Sequence, residues 1–445
     1  MNEYIRIQEP KILNDKSLVF KLFFSKRTGK YFVSDDLIFH YDVEIGNPTA
    51  GILQIPAVAS VITVAWAVGA DVYVKNLDET YLKSLNDVGS VLKSWYPKFS
   101  FSTGTIVENV VPNRFSNDEY GLLFTGGIDS TASYIRHRNK KPNLITVFGA
   151  GLDIQSADEK LKGILMDFSK QEEVKLNFIE TNVDNVINRD LLHEESGLNW
   201  WMNVYHGLFL TSLCAPLTLV KNIGTLIIAS SNTREWRYPW GSDPFIEGRI
   251  SWADVHVVHD NYEFTRQDKI RHFIKNYVKE TGHYPFLHVC SKQTSENCGV
   301  CEKCLRTITG LVLEGIDSNK CGFHNVDSEM FDSIRRSFTN GDFIRRSSFV
   351  ERKGIFINRM ADVEEWKDIQ KHIPETVNDL NNYGEFFKWL KDFDILKNSQ
   401  SIRMSRLPRL FLFSIAQTLA PLNSYLPMNL QNMNRKVFQF LLLSH

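Results

Sequence analysis

No cysteine precedes Cys214, and four of the six in the chain fall between Cys290 and Cys304. The amino-terminal half therefore offers no thiol for a cysteine-dependent glutaminase, so ammonia has to arrive from solution or from a partner. An excess of one charge is lacking too. Fifty-one Lys and Arg stand against 52 Asp and Glu, a formal net charge of -1, which supplies no electrostatic reason to expect nucleic acid. The opening MNEYIRIQEPK carries Glu3 and has no apolar core of signal-peptide length, and no uninterrupted apolar run reaches the roughly 18 residues of a membrane span. A cytoplasmic protein without a transmembrane segment is the default expectation. Internal repeats and low-complexity segments are absent as well, which excludes solenoids and fibrous arrays.

What is present is 445 residues, 43% hydrophobic and 23% charged, enough for two or three globular domains. Residues 1–115 read as a separate α+β unit, in which SLVFKLFF and KYFVS form a hairpin, PAVASVITVAWAVG a helix and ADVYVKN a strand. Residues 116–325 alternate strand and helix: YGLLF, DSTASYIRHR, NLITVF, a helix opened by Ser156, VKLNFIE, the long helix around WWMNVYHGLFLTSLCAPLTLV, GTLIIAS and ADVHVVHD. That alternation predicts an α/β fold, a doubly wound parallel sheet covered on both faces, with ligands at the carboxyl ends of its strands. Residues 326–445 read as a helical region with the turn FTNGDF. No acid follows Asp394, while Arg403, Arg406, Arg409, Arg435 and Lys436 lie between apolar runs. A helical cap with a basic face is the plain reading, and peripheral contact with a membrane surface is the alternative.

The stretch LLFTGGIDSTASY breaks a short apolar strand at two glycines and resumes as a helix. Glycines at such a turn admit unusual φ values and let the backbone approach a ligand closely. The turn amides and the helix N-terminus make a nest for phosphate, with hydroxyl donors at Thr125, Ser130 and Thr131 and main-chain groups at Gly126, Gly127 and Ile128. Asp129 is a liability beside phosphate unless it faces a cation, for which a magnesium ion on the phosphates is the expectation. In CSKQTSENCGVCEKCLRT, the thiols of Cys290, Cys298, Cys301 and Cys304 have the number and spacing for a closed tetrahedral zinc site. A structural zinc ion is expected there, with an iron–sulfur cluster as the other sulfur-bound possibility.

The loop TGGIDS resembles the SGGxDS signature of the PP-loop ATP pyrophosphatases, with Thr125 in place of the first serine. Followed by a cysteine array ending in CGVCEKC, it looks like the 7-cyano-7-deazaguanine synthases over residues 118–315, elaborated at both ends. The resemblance implies a sheet of the adenine nucleotide α-hydrolase type. It also implies that the loop grips ATP with magnesium, Asp129 and Ser130 acting at the reacting phosphates, and that the backbone of Phe148 and Gly149 meets adenine. Asp153 follows in the next loop. The loop after the fourth parallel strand, IIASSNTREWRYPWGSDPFIEG, would then bind substrate through Arg237, Trp240, Ser242 and Asp243: Arg237 for a carboxylate, Trp240 for stacking and Asp243 for ring N–H groups. A surface loop rich in aromatics is the competing reading.

The activity implied is ligation. A carboxylate of a small, deazaguanine-like molecule is adenylated with release of pyrophosphate and passed to ammonia, or to an amine on a peptide or sugar. Two alternatives stand beside it: thiolation of an adenylated substrate, and a nucleotide-binding scaffold or sensor that meets a protein partner through its terminal regions. His206 reads as a core histidine within the long helix, with a base as the alternative, and Arg266 and Lys269 as a solvated helix face, with contact to the phosphates as theirs.

Overall fold

The computed structural model describes residues 3–46, 49–99, 101, 104–115, 117–150, 158–235, 238–290, 296–339, 360–376, 383–395 and 397. The chain divides into two compact units, one of residues 1–299 and 310–324, the other of residues 300–309 and 325–445.

The first unit is built on a single 12-stranded, mostly parallel sheet. In chain order its strands are β1 (Tyr4–Ile7), β2 (Lys11–Leu13), β3 (Ser17–Phe24), β4 (Asp36–Tyr41), β5 (Asp71–Asp78), β6 (Thr105–Val111), β7 (Glu119–Leu123), β8 (Asn143–Phe148), β9 (Leu176–Thr181), β10 (Ile223–Ala229), β11 (Ser251–Trp252) and β12 (Val255–Asp260). Their order in space is β11-β12-β10-β7-β8-β9-β4-β3-β1-β5-β6, with β2 paired to β3. The block β12-β10-β7-β8-β9 is parallel throughout. Chain order reverses between β7 and β10, because β8 follows β7 on one side whereas β10 returns to its other side. That is the switch point of a Rossmann-like sheet, the place where ligands of such sheets bind.

Strand residues divide by alternation between two cores. Leu122, Leu144 and Ile227 pack on one face with residues of the helices Ile128–His137 and Asp158–Gln171. Ile145, Val147, Leu226 and Ile228 join the opposite core, with Ile55–Val68 and the helix Trp201–Val220. Among the described residues Trp201–Val220 alone is long and apolar enough to cross a membrane, and 72% of it is buried in this core.

Residues 1–115, expected as a separate unit, belong to the same compact unit, and the sheet runs across the expected boundary where β4 pairs antiparallel with β9, Phe39 opposite Thr181. The strand that follows β3 in the chain and pairs with it is β4 rather than KYFVS. Leu37, Phe39 and Tyr41 alternate inward, whereas Phe32 makes an isolated bridge to Ile187 and Val33 donates its N–H to the Val186 carbonyl.

The described residues of the second unit include the helices Ser328–Thr339, Met360–His372 and Gly384–Asp392. Phe338 meets Trp366 edge-on, ring centres 5.0 Å apart, and Phe331 meets Phe386 at 4.8 Å. Trp366 donates to Glu302 at 3.0 Å, and Glu365 pairs with the buried Arg306 at 2.9 Å. Ser156, Asp153 and the basic tail lie outside the described residues.

Candidate active site and metal centre

The glycine turn sits at the end of β7, on the switch point. Gly126 takes φ +72°, the left-handed region where a side chain is strained, so its glycine is a backbone requirement. Gly127 is different. Its φ is -72°, and an added Cβ would meet only the His288 carbonyl at 3.5 Å and Thr125 Oγ1 at 3.7 Å, ordinary contacts. Among the described residues nothing demands glycine there.

The helix Ile128–His137 starts at Gly127 without a side-chain cap. Among the described residues no acceptor meets the main-chain N–H groups of Gly126, Gly127, Ile128 or Asp129. These are the orphan donors of a helix start, and with the helix dipole they form an anion seat. Neighbours brace the turn. The His288 N–H donates to the Gly126 carbonyl at 2.8 Å, Thr146 Oγ1 to the Phe124 carbonyl at 2.6 Å, and the Thr125 N–H to Ser130 Oγ at 3.4 Å. Thr125 is exposed and Ser130 buried. Thr131 Oγ1 is buried with no hydrogen-bond partner, which leaves a donor beneath the turn.

Asp129 does have its cation, in fact two, both from side chains. Lys269 Nζ reaches Oδ1 at 2.8 Å, and Arg266 reaches Oδ2 at 3.0 Å and Oδ1 at 3.4 Å. Lys269, with its side chain 1% exposed, also donates to the Ser230 carbonyl at the end of β10, and Arg266 to the Ser231 carbonyl at 3.3 Å. The reading of these residues as a solvated helix face is corrected: they tie the β7 and β10 loops together across the switch point. Burial works against the Asp129 charge, but Arg266 and Lys269 outweigh it and hold the carboxyl well below the usual carboxylate range. Because both oxygens already accept from cations, this donor set does not fit a magnesium ion on Asp129.

Phe148 and Gly149 stand at the carboxyl end of β8, beside β7. The Phe148 ring is fully buried against Phe178, and Gly149 takes φ +80°. In the loop after β10, Trp240 is half-buried and meets Tyr238 edge-on at 5.3 Å. Ser242 is buried. Asp243, expected to read ring N–H groups, caps a helix instead, accepting from the Phe245 N–H at 2.9 Å as the first residue before Pro244–Glu247. Arg237 lies outside the described residues.

The four expected metal ligands do come together. The sulfur atoms of Cys290, Cys298, Cys301 and Cys304 all lie within 4.8 Å of one another, and those of Cys301 and Cys304 are 3.4 Å apart. A tetrahedron with zinc–sulfur bonds of about 2.3 Å has edges of about 3.8 Å, so the thiols fit a zinc ion. Gly299, at φ +66°, makes the turn between the inner ligands. Just upstream, Asn297 Oδ1 accepts from the Val289 N–H at 3.0 Å and Nδ2 donates to the Gly322 carbonyl at 2.9 Å, so the run that braces Gly126 through His288 is itself held.

Sequence reasoning missed a second polar group at the same edge of the sheet. Glu247, fully buried, hydrogen-bonds through Oε2 to Nδ1 of His259, whose side chain is 2% exposed. Its signal, an acid twelve residues before a histidine on a strand, has no distinctive spacing.

Comparison of the chain with protein-family profiles, with curated proteins and with solved structures returns no match. The chain is an α/β protein with a Rossmann-like parallel block and a four-cysteine cluster able to hold a metal ion.

Proposed function

We propose that the protein is an ATP-dependent ligase that adenylates a small-molecule carboxylate, releases pyrophosphate and passes the acyl group to ammonia or an amine. The observation that carries the reading is the row of unpartnered amides from Gly126 to Asp129 at the β7/β10 switch point. Those amides and the Thr131 hydroxyl would hold phosphate oxygens, while Arg266 and Lys269, oriented by Asp129, answer the negative charge. A glycine at Gly127 that no chain atom requires leaves the close approach a triphosphate needs. The backbone of Phe148 and Gly149, at the carboxyl end of the neighbouring strand β8, would meet the base. Adenylation turns a poor electrophile into one with AMP as leaving group, and proximity of the nucleophile supplies up to about 7 to 11 kcal/mol.

The thiols left outside the metal cluster weigh against thiolation. Cys214 and Cys321 are both fully buried, and burial raises the Cys321 thiol to about 12 and that of Cys214 further, so neither is a nucleophile at neutral pH. The test is incubation of the protein with ATP, magnesium, ammonium and carboxylic acids that include 7-carboxy-7-deazaguanine. Acid-dependent formation of AMP and pyrophosphate is expected. Release of ADP and phosphate in their place would refute adenylation.

A further inference from the structure

The polar group around Glu247 has no part in holding ATP, yet it is built with care. Four segments meet there. The Gly207 N–H donates to the Gly241 carbonyl at 2.8 Å, and the Gly241 N–H to the Met202 carbonyl at 2.7 Å, which pins the substrate loop to the long helix. The Glu247–His259 hydrogen bond adds the short helix Pro244–Glu247 and the end of β12. A Cβ at Gly207 would stand 2.3 Å from Glu247 Oε1, so the helix gives up a side chain to admit the carboxylate. Immediately before His206 the helix widens into a π turn, Trp201–Tyr205, a feature frequent at functional sites.

Buried polar atoms here lack partners among the described residues: His206 Nδ1, Glu247 Oε1 and His259 Nε2, linked by the Glu247–His259 hydrogen bond and by the Glu247 charge acting on His206. Two more, Ser242 Oγ and Trp240 Nε1, belong to the loop that Gly241 pins to the helix. Buried polar atoms are almost always satisfied, so such a group calls for a polar occupant, water or ligand. Their chemistry favours a small cation. With Nδ1 committed to the carboxylate, His259 can present the Nε2 lone pair. Burial lowers the pKa of His206, with the Glu247 charge acting against it, and the neutral ring adds a second nitrogen. Glu247 supplies the charge, and Ser242 a further oxygen.

We propose that Glu247, His259, His206 and Ser242 form the binding site for the amine nucleophile, ammonium in the simplest case, with His259 as its proton acceptor. This rests on the adenylating reading given above. A carboxylate holding one ring nitrogen so that the other faces the substrate is the arrangement of an oriented general base. Ammonium gives one proton to His259 Nε2, and the freed lone pair attacks the acyl carbon of the adenylate. The C–N bond forms as the C–O bond to AMP breaks. AMP departs with that electron pair, and the proton lost by nitrogen as the amide forms ends on the departing phosphate.

The experiment measures ammonium-dependent amide formation from 7-carboxy-7-deazaguanine and ATP, with pyrophosphate followed separately. For His259→Gln, kcat/KM for ammonium is expected to fall about 100-fold while KM for ATP holds. Ser242→Ala, a milder change that keeps the fold if His259→Gln does not, should raise KM for ammonium several-fold. A site held only by internal water would leave ammonium kinetics at wild-type values in both folded variants, and that result overturns the inference. A wild-type protein that forms no pyrophosphate overturns the ATP reading itself and this inference with it. Pyrophosphate formation with unchanged ammonium kinetics in the variants removes the amine site alone.

Discussion

Asp129→Asn separates the roles of the carboxylate most sharply. In the wild type one carboxylate accepts from Lys269 at 2.8 Å and from Arg266 at 3.0 Å, and the Lys269 side chain is 1% exposed. The amide keeps the shape and removes the charge, leaving a buried ammonium with only neutral acceptors, the amide oxygen and the Ser230 carbonyl. Breaking a buried pair from one side costs about 3 to 5 kcal/mol. Asp129 and Arg266 retain 18% and 24% side-chain exposure, so the lower end, about 3 kcal/mol, is the expected loss. Urea denaturation of the wild type, Asp129→Asn, Lys269→Met and the double variant gives the coupling directly, and about 2 kcal/mol is expected for it. The pH dependence has a definite sign. Since the folded-state pKa is depressed, the stabilisation is fully present above the ordinary carboxylate value of about 4 and fades as pH falls toward the folded value. The difference between wild type and Asp129→Asn should therefore be constant from pH 5 to 7 and begin to shrink below about pH 4. A loss under about 1 kcal/mol at pH 7, or a coupling near zero, would refute the account of Asp129 as the anchor of the two cations.

Two further outcomes follow from the same geometry. Gly127→Ala adds a Cβ that meets only ordinary contacts, so stability in urea should change by less than about 0.5 kcal/mol while ATP binding by calorimetry weakens at least tenfold; equal binding would mean that no phosphate approaches the turn. Cys301→Ser should lower bound zinc, measured by elemental analysis, and stability together. Unchanged metal content would remove Cys301 from the ligand set.

Much of the site was legible because it is local. The strand, the two glycines and the helix that make the anion seat lie within residues 119–137, and the four cysteines within residues 290–304, so spacing alone carries the geometry. Alternation of apolar strands with long helices likewise foretold a parallel block, since only a crossover helix can return the chain for parallel pairing. What the tertiary structure alone decided is non-local. Whether β4 stops at an edge or pairs with β9 depends on two strands about 140 residues apart, as the Ile38 N–H bond to Asn182 shows, and no local pattern distinguishes an edge strand from an internal one. Arg266 and Lys269 look like any exposed helical pair until the order of strands brings their helix 137 and 140 residues back to Asp129. A charge declares its partner only when burial makes being alone too costly, and burial belongs to the assembled sheet rather than to any segment of it.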